Sequence, residues 1–277
     1  MVVFPNAKIN IGLFVTERRK DGFHNLETVF YPIGLSDILE ISRTEGNAGE
    51  YSFSNTGIDV ACEAEKNLIV KAYRLLVADF HLPAIQIHLH KMIPFGAGLG
   101  GGSSDAAFML KALNEYFDLS LSEAVLIEYA TRLGSDCAFF ICNRPAYASG
   151  KGEVLENIEL SLTDYQFVLV KPSVGVSTPE AYAGMIPQPA RFDLHTLHNL
   201  PVEEWKDWVS NDFEKSVFHK YPQIADLKRL LYARGAIYAS MTGSGSAVYG
   251  LFKKDQKIDI MYPGCFVWTG GRNGISE

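Results

Sequence analysis

The chain has 277 residues, of which 47% are hydrophobic, so it can form the core of one large domain or of two ordinary ones. Its 25 basic and 32 acidic residues give a net charge of −7, which argues against a broad nucleic-acid surface. The four cysteines form no Cys-x-x-Cys pair, and no apolar run approaches the ~18–20 residues of a membrane helix. We therefore expect free thiols in a cytoplasmic protein without a membrane segment.

The start of the chain predicts β-strands over 2–15, 23–35, 37–44 and 50–55. In the first strand, AKINIGLFV places Lys8 and Asn10 on one face, because successive side chains alternate. That face is either solvated or holds an anion or an acid, and the pattern alone leaves both interpretations open.

The next motif is a turn predicted at Asp21-Gly22, between the first two strands. Phe23 and His24 follow the turn directly. Such a pair is common on surfaces. In a binding site, however, the aromatic ring can stack on a flat base while the histidine hydrogen-bonds to the edge of that base.

A helix is predicted over 67–80, and the alternation of AIQIHLHKMI predicts a strand over 84–93. The stretch PFGAGLGGGSSDAA, residues 94–107, then leads into a helix predicted over 103–117, capped by Ser103 or Ser104. Glycine permits close backbone approach, and a helix N-terminus attracts anions, so the stretch predicts a phosphate site rather than a flexible connector. Gly96, Gly98 and Gly101 fit G-x-G-x-x-G, but the region about 20 positions on predicts a helix instead of a second strand that ends in an acidic residue, so we reject a dinucleotide-binding fold. The P-loop and protein-kinase patterns are absent from the sequence.

A further helix is predicted over 121–133, opened by a capping box of Ser120 and Glu123. Asp136 follows it and precedes FFICNRPAYASG, which we interpret as a buried strand. Such a carboxylate is either a turn residue or a functional acid, and Lys8 would be a natural partner for it.

The second half predicts a strand at YQFVLVKP and helices near 179–185, 202–218 and 222–234, with a loop over 187–201. Two short strands, AIYAS and SAVYGLF, flank the glycine loop of MTGSGSAVYG, which is either a hairpin turn or a second phosphate contact. The mixed order predicts an α+β protein with two domains, 1–154 and 155–277.

Together these stretches resemble the GHMP kinase superfamily of small-molecule kinases. PFGAGLGGGSSDAA is similar to its phosphate-loop motif and TGSGSAVYG to its C-terminal glycine motif. AKINIGLFVTERRKDGFHNLETVF resembles most closely the N-terminal signature of the 4-diphosphocytidyl-2-C-methyl-D-erythritol kinases within that superfamily. The resemblance implies an N-terminal domain like ribosomal protein S5 domain 2 and a ferredoxin-like C-terminal domain.

The resemblance also implies ATP-dependent phosphorylation of a hydroxyl on a cytidine-diphosphate-linked sugar alcohol, with Mg²⁺ arriving on ATP and no metal site of protein carboxylates. It makes Asp136 the catalytic acid/base and Lys8 its partner. The residues implied on the substrate side are Asn10, Phe23, His24, Thr178 and Tyr182. The residues implied on the ATP side are Asn67, Lys91, Pro94, Gly96, Gly98, Leu99, Gly100, Gly101, Gly102, Ser103 and Ser104.

Two departures from the family pattern stand out. Phe23 replaces the usual tyrosine, and Cys137-Ala138 replaces a common Val-Pro after the aspartate. We expect the cytosine ring to lie between Phe23 and Tyr182, which come from the two predicted domains, with His24 at its hydrogen-bonding edge.

Overall fold

A computed structural model describes residues 1–60, 63–183, 185–258 and 262–271. Its contacts divide the chain into two compact units that interleave along the sequence. The first comprises 1–7, 35–93 and 100–144, and the second comprises 8–34, 94–99 and 145–277. The contiguous division at residue 154 stays a prediction.

The strands confirm the β-rich start and the strands of the second half. Their bounds are β1 Val2–Val3, β2 Asn6–Arg18, β3 His24–Ser36, β4 Ile38–Arg43, β5 Tyr51–Gly57, β6 Ile85–Lys91, β7 Ala146–Ser149, β8 Val154–Asn157, β9 Tyr165–Pro172, β10 Tyr238–Met241, β11 Val248–Lys253 and β12 Cys265–Gly270. They form three four-stranded sheets, ordered β1-β4-β6-β5, β2-β3-β7-β8 and β10-β11-β9-β12.

Helices lie between the strands in both units. The α-helices are α1 Leu68–Asp79, α2 Gly101–Tyr116, α3 Glu123–Leu133, α4 Cys137–Cys142, α5 Thr178–Tyr182, α6 Trp205–Trp208, α7 Phe213–Lys220 and α8 Pro222–Ala233. Short 3-10 helices occupy Ala64–Lys66, Leu194–Asn199 and Val202–Glu204. Within the described ranges, no helix is both long and apolar enough to cross a bilayer.

The first unit has one sheet, in which β5 and β6 run parallel and the other pairs antiparallel. As its alternation predicts, β6 buries Ile85, Ile87 and Leu89 while the intervening side chains are more exposed. Helix α1 packs on α2, and the side chain of Asn67 caps α1 by accepting a hydrogen bond from the Ile69 N–H at 2.9 Å.

The second unit contains the antiparallel sheet of β9 to β12, with α8 packed on β9, β10 and β11. Its apolar core joins the inner face of this sheet to α7 and α8, through side chains such as Val168, Met241, Phe213 and Leu227. The free thiols Cys137, Cys142 and Cys265 agree with the sequence prediction, and Cys62 lies outside the described residues.

Several predictions of secondary structure are wrong. The run after Asp136 forms the helix α4 before β7 begins, because a short apolar run is equally compatible with a buried helix and a strand. The predicted helix over 202–218 is broken, since the backbone of 210–212 hydrogen-bonds with Leu13 of β2. Helix α3 is capped by Ser122, because Ser120 adopts a left-handed φ of 56° outside the helix.

Candidate active site

Lys8 and Asn10 lie together on β2 and are buried, with exposed fractions of 4% and 3%, so the solvated-face interpretation is wrong. The Lys8 ammonium donates to Asn10 Oδ1 at 2.7 Å and to the Gly98 carbonyl at 3.1 Å. The Lys8 N–H donates to the Leu99 carbonyl at 3.0 Å. This lysine is therefore fixed against the first glycine loop, residues 94–99.

The second glycine loop, residues 242–247, packs directly on the first. An added Cβ on Gly98 would lie 2.0 Å from the Thr242 carbonyl oxygen, and one on Gly245 would lie 2.2 Å from the Gly98 nitrogen. Thr242 Oγ1 donates to the Gly98 carbonyl at 3.2 Å, and the Ser246 N–H donates to the Gly96 carbonyl at 3.2 Å. Although β10 and β11 do form a hairpin, its turn also supports the first loop.

The first glycine loop leads into the N-terminus of α2. The capping residue is Gly100, with a left-handed φ of 70° and no side-chain hydrogen bond, so the predicted cap by Ser103 or Ser104 is wrong. The helix begins earlier than predicted, and Ser104 is buried within its first turns. Backbone N–H groups at such a start have no helical partner and can bind an anion.

Asp136 immediately precedes α4 and is partly exposed, and Ser135 Oγ donates to its Oδ1 at 3.4 Å. Its backbone is nearly helical and its side chain caps nothing in α4. Helix α4 packs against α2 and α3, which fixes the backbone that carries this carboxylate. The following residue, Cys137, is buried, and burial raises the pKa of its thiol to about 11.

Asn67 and Lys91 are the two residues predicted on the ATP side that lie outside the glycine-rich stretch. The side chains of both form hydrogen bonds within the protein. Asn67 uses its side-chain oxygen to cap α1. The ammonium of Lys91 is 1% exposed and pairs with Asp37 at 2.5 Å and with Asp105 at 2.6 Å. No sequence pattern pointed to Asp37, because its partner lies 54 positions away.

The predicted substrate-side aromatics are arranged differently from expectation. His24 stacks on Tyr182 with ring centroids 4.7 Å apart and an interplanar angle of 23°. Phe23 is 58% exposed, and Lys151 Nζ lies 5.0 Å from its ring centroid. His24 and Tyr182 belong to the same compact unit, as does Thr178, whose hydroxyl is 3.1 Å from that of Ser244 in the second glycine loop.

Several polar residues that hold these elements carry no signal in the local sequence pattern. Thr28 accepts a hydrogen bond from Asn10 Nδ2 at 3.0 Å, and Asn211 donates to the Met241 and Gly243 carbonyls at 2.9 and 2.8 Å. Asn211 was hidden in a predicted helix. Thr242 belongs to the TGSGSAVYG motif, which predicts a glycine loop at this point of the chain. No sequence pattern predicts the hydrogen bond from Thr242 to the Gly98 carbonyl.

Comparison with known proteins shows the family to which this chain belongs. The family model for the GHMP kinases N terminal domain matches residues 67–144, and the model for the GHMP kinases C terminal matches residues 192–262. A Bacteroides fragilis protein named 4-diphosphocytidyl-2-C-methyl-D-erythritol kinase is 54% identical over 261 residues, covering 94% of this chain and 95% of the relative. The chain belongs to the GHMP kinase family. It is a small-molecule kinase, as its family implies.

Other family members show how far the similarity extends. A Parabacteroides distasonis protein of the same name is 49% identical over 272 residues, covering 98% of this chain and 99% of its own. A crystal structure of 4-(cytidine 5'-diphospho)-2C-methyl-D-erythritol kinase matches with a TM-score of 0.78 and 31% identity, covering 91% of this chain and 90% of that one. A homoserine kinase structure from Cytophaga hutchinsonii, 17% identical with a TM-score of 0.65, shares the fold, covering 98% of this chain and 96% of its own. The expected α+β, two-domain GHMP kinase fold is confirmed.

Proposed function

We propose that this GHMP kinase uses ATP to phosphorylate the 2-hydroxyl of 4-diphosphocytidyl-2-C-methyl-D-erythritol, a step of non-mevalonate isoprenoid precursor biosynthesis. The observation that carries the proposal is 54% identity to a kinase of that name over 94% of the chain. The site residues implied by the resemblance support it, because Lys8, Asn10 and Gly98 share hydrogen bonds at the first glycine loop. Since ATP is a cytoplasmic metabolite, we place the reaction in the cytoplasm.

The residues of the nucleotide side fit a polyphosphate. Gly96 has a left-handed φ of 62°, and an added Cβ there would meet no atom within 4 Å, so its backbone is open to a ligand. The start of α2 adds N–H donors and the positive end of a helix dipole. Mg²⁺ bound to ATP would supply neutralisation of the phosphate charge, and a phosphate-bound Mg²⁺ needs few protein ligands.

In this proposal Asp136 acts as the general base. Its carboxylate accepts the proton of the 2-hydroxyl, which increases the nucleophilicity of that oxygen. The positive charge of Lys8 favours the ionised form of an acid and stabilises negative charge on transferred oxygens. The hydrogen bonds of Lys8 to Asn10 and Gly98 restrict its ammonium to one orientation.

We propose that His24 and Tyr182 form the recognition surface for the cytosine base. Their rings already stack, so a bound base would either add to this stack or displace His24 from the face of Tyr182. An aromatic face accepts any base, whereas an imidazole hydrogen bond discriminates between base edges. Phe23, exposed beside Lys151, contributes apolar contact at the rim.

A coupled assay of ADP release tests this function with purified protein, ATP and a panel of acceptors. We expect turnover with the cytidine-diphosphate-linked substrate, less with its uridine analogue, and none with homoserine or mevalonate. His24→Ala should reduce the cytidine-to-uridine ratio in kcat/KM. Equal turnover of homoserine or mevalonate would contradict the substrate assignment, and an unchanged ratio in His24→Ala would place base recognition on other residues.

A further inference from the structure

Three ionisable side chains form a buried cluster in the first compact unit: Asp37, Lys91 and Asp105. Their side chains are at most 5% exposed. Asp37 Oδ1 accepts the backbone N–H groups of Met92 and Ile93 at 2.6 and 2.8 Å, and its Oδ2 accepts Lys91 Nζ at 2.5 Å. The cluster therefore ties the end of β6 to the start of β4.

The same ammonium reaches the helix that follows the first glycine loop. Lys91 Nζ donates to Asp105 Oδ2, on α2, at 2.6 Å. It also lies 3.1 Å from the point that a Cβ on Gly101 would occupy. A cation beside a helix N-terminus is unfavourable by itself, so this placement depends on the side chains of Asp37 and Asp105, which accept hydrogen bonds from it.

We propose that Lys91 is a positioning residue for ATP, which holds Gly101 and the first turn of α2 in place through Asp105 and does not itself contact the phosphates. The inference rests on the proposed function, because it takes ATP as the ligand of this turn. Lys91 is enclosed by protein, with an exposed fraction of 1%, and its ammonium contacts the side chains of Asp37 and Asp105. Because backbone N–H groups bind phosphate only in a narrow range of orientations, the anchor of the turn controls ATP affinity.

The structure indicates which feature of Asp105 matters. Its Oδ2 accepts from Lys91, while its Oδ1 is buried without a hydrogen-bond partner. Burial, opposed by Lys91 and assisted by Asp37, raises the pKa of Asp105 to about 8, so that it is largely protonated at neutral pH. An asparagine can reproduce a protonated aspartate that accepts one hydrogen bond, whereas a leucine of similar size cannot accept any.

The test compares Asp105→Asn with Asp105→Leu by calorimetric titration with Mg²⁺-ATP, alongside thermal denaturation. We expect Asp105→Asn to bind ATP within about twofold of wild type, and Asp105→Leu to bind at least about tenfold more weakly. The KM for the cytidine-linked substrate should stay within about twofold in both variants. Tyr73→Phe is the matched control in the same unit: it removes hydrogen bonds to the Glu50 and Pro83 carbonyls and should lower Tm without changing ATP affinity.

Wild-type ATP affinity in folded Asp105→Leu would overturn the proposal. Equal weakening in Asp105→Asn and Asp105→Leu would also overturn it, because the hydrogen bond from Lys91 would then not be the determinant. If Asp105→Leu does not fold, Asp105→Ala removes the same acceptor and carries the same expectation. If wild type binds ATP but does not phosphorylate the cytidine-linked substrate, the proposed function fails while the binding comparison still decides the role of Lys91.

Discussion

The glycines of the two loops serve different purposes, although they look alike in the sequence. Gly98 and Gly245 let two backbones approach so closely that an added Cβ would lie 2.0–2.2 Å from main-chain atoms. Gly96 faces open space, and an added Cβ on Gly102 would meet only Leu68, at 3.9 Å. The first pair is required by packing, and the second pair leaves backbone accessible to a ligand. Composition alone cannot separate these roles, because both need only the absence of a Cβ.

The largest effect should come from the packing pair. Gly245→Ala places a methyl group against the backbone of Ala97 and Gly98, which cannot rotate aside as a side chain can. We expect a loss of at least about 3 kcal/mol in the free energy of unfolding, measured by urea denaturation. Gly175→Ala is the control, since an added Cβ there meets nothing within 4 Å. Equal midpoints for the two variants would mean that the loops do not pack tightly.

An intermediate effect should come from the second, uncrowded pair, where the proposed function places ATP, with stability and affinity changing in opposite directions. Gly102 is within α2, where alanine is favoured over glycine by up to about 1 kcal/mol. Gly102→Ala should therefore keep or raise Tm, while its methyl group weakens ATP binding by about tenfold, or about 1.4 kcal/mol. Calorimetry and thermal denaturation measure the two quantities. If affinity is unchanged, phosphate does not approach this turn.

The smallest effect concerns the ionisable side chains beside Gly101. An added Cβ on this third glycine would meet the side chains of Ile93 and Lys91 and not backbone atoms. The pKa of Asp105 is raised in the folded state, mainly by burial, with Lys91 and Asp37 as the charged groups acting on it. The folded protein therefore binds a proton that the unfolded chain releases between about pH 4 and 8, and this contribution to stability decreases as pH rises through that window. Asp105→Asn removes this contribution.

The unfolding free energy of Asp105→Asn should accordingly rise relative to wild type between pH 6 and pH 7, by less than about 1.4 kcal/mol. Urea denaturation at several pH values measures the difference. A difference that does not change with pH would mean that Asp105 is already ionised in the folded protein.

The strand pattern and the helix after the first glycine loop could be predicted from sequence because both depend on local periodicity. The alternation in β6 and the spacing in α2 each reflect one buried face. Helix α4 could not be identified, because six residues with five buried provide no period to measure. The break near 210–212 depends on pairing with Leu13, almost 200 positions earlier, and no local signal reports it.

For the candidate site, too, contiguous motifs could be predicted from the sequence and long-range contacts could not. The glycine motifs and the segment around Lys8 could be identified because they are contiguous stretches that resemble a family. The enclosure of Lys91 depends on Asp37 and Asp105, which are 54 and 14 positions away, so no local pattern predicts it. That Lys91 lies on the ATP side, as the resemblance implies, stays a prediction. His24 and Tyr182 were both predicted on the substrate side, but their stacking on each other was not.

The most direct test of the central claim is phosphorus-31 NMR of the reaction of wild type and Asp136→Asn with Mg²⁺-ATP and 4-diphosphocytidyl-2-C-methyl-D-erythritol. We expect wild type to form ADP together with a new phosphate monoester on the 2-hydroxyl. Asp136→Asn should form the same product with kcat lowered roughly 10²–10⁴-fold, the range for loss of a general base, while still binding ATP. Release of ADP with inorganic phosphate and no ester by wild type would rule out the proposed transfer to the 2-hydroxyl. A near-normal kcat in Asp136→Asn would rule out Asp136 as the general base.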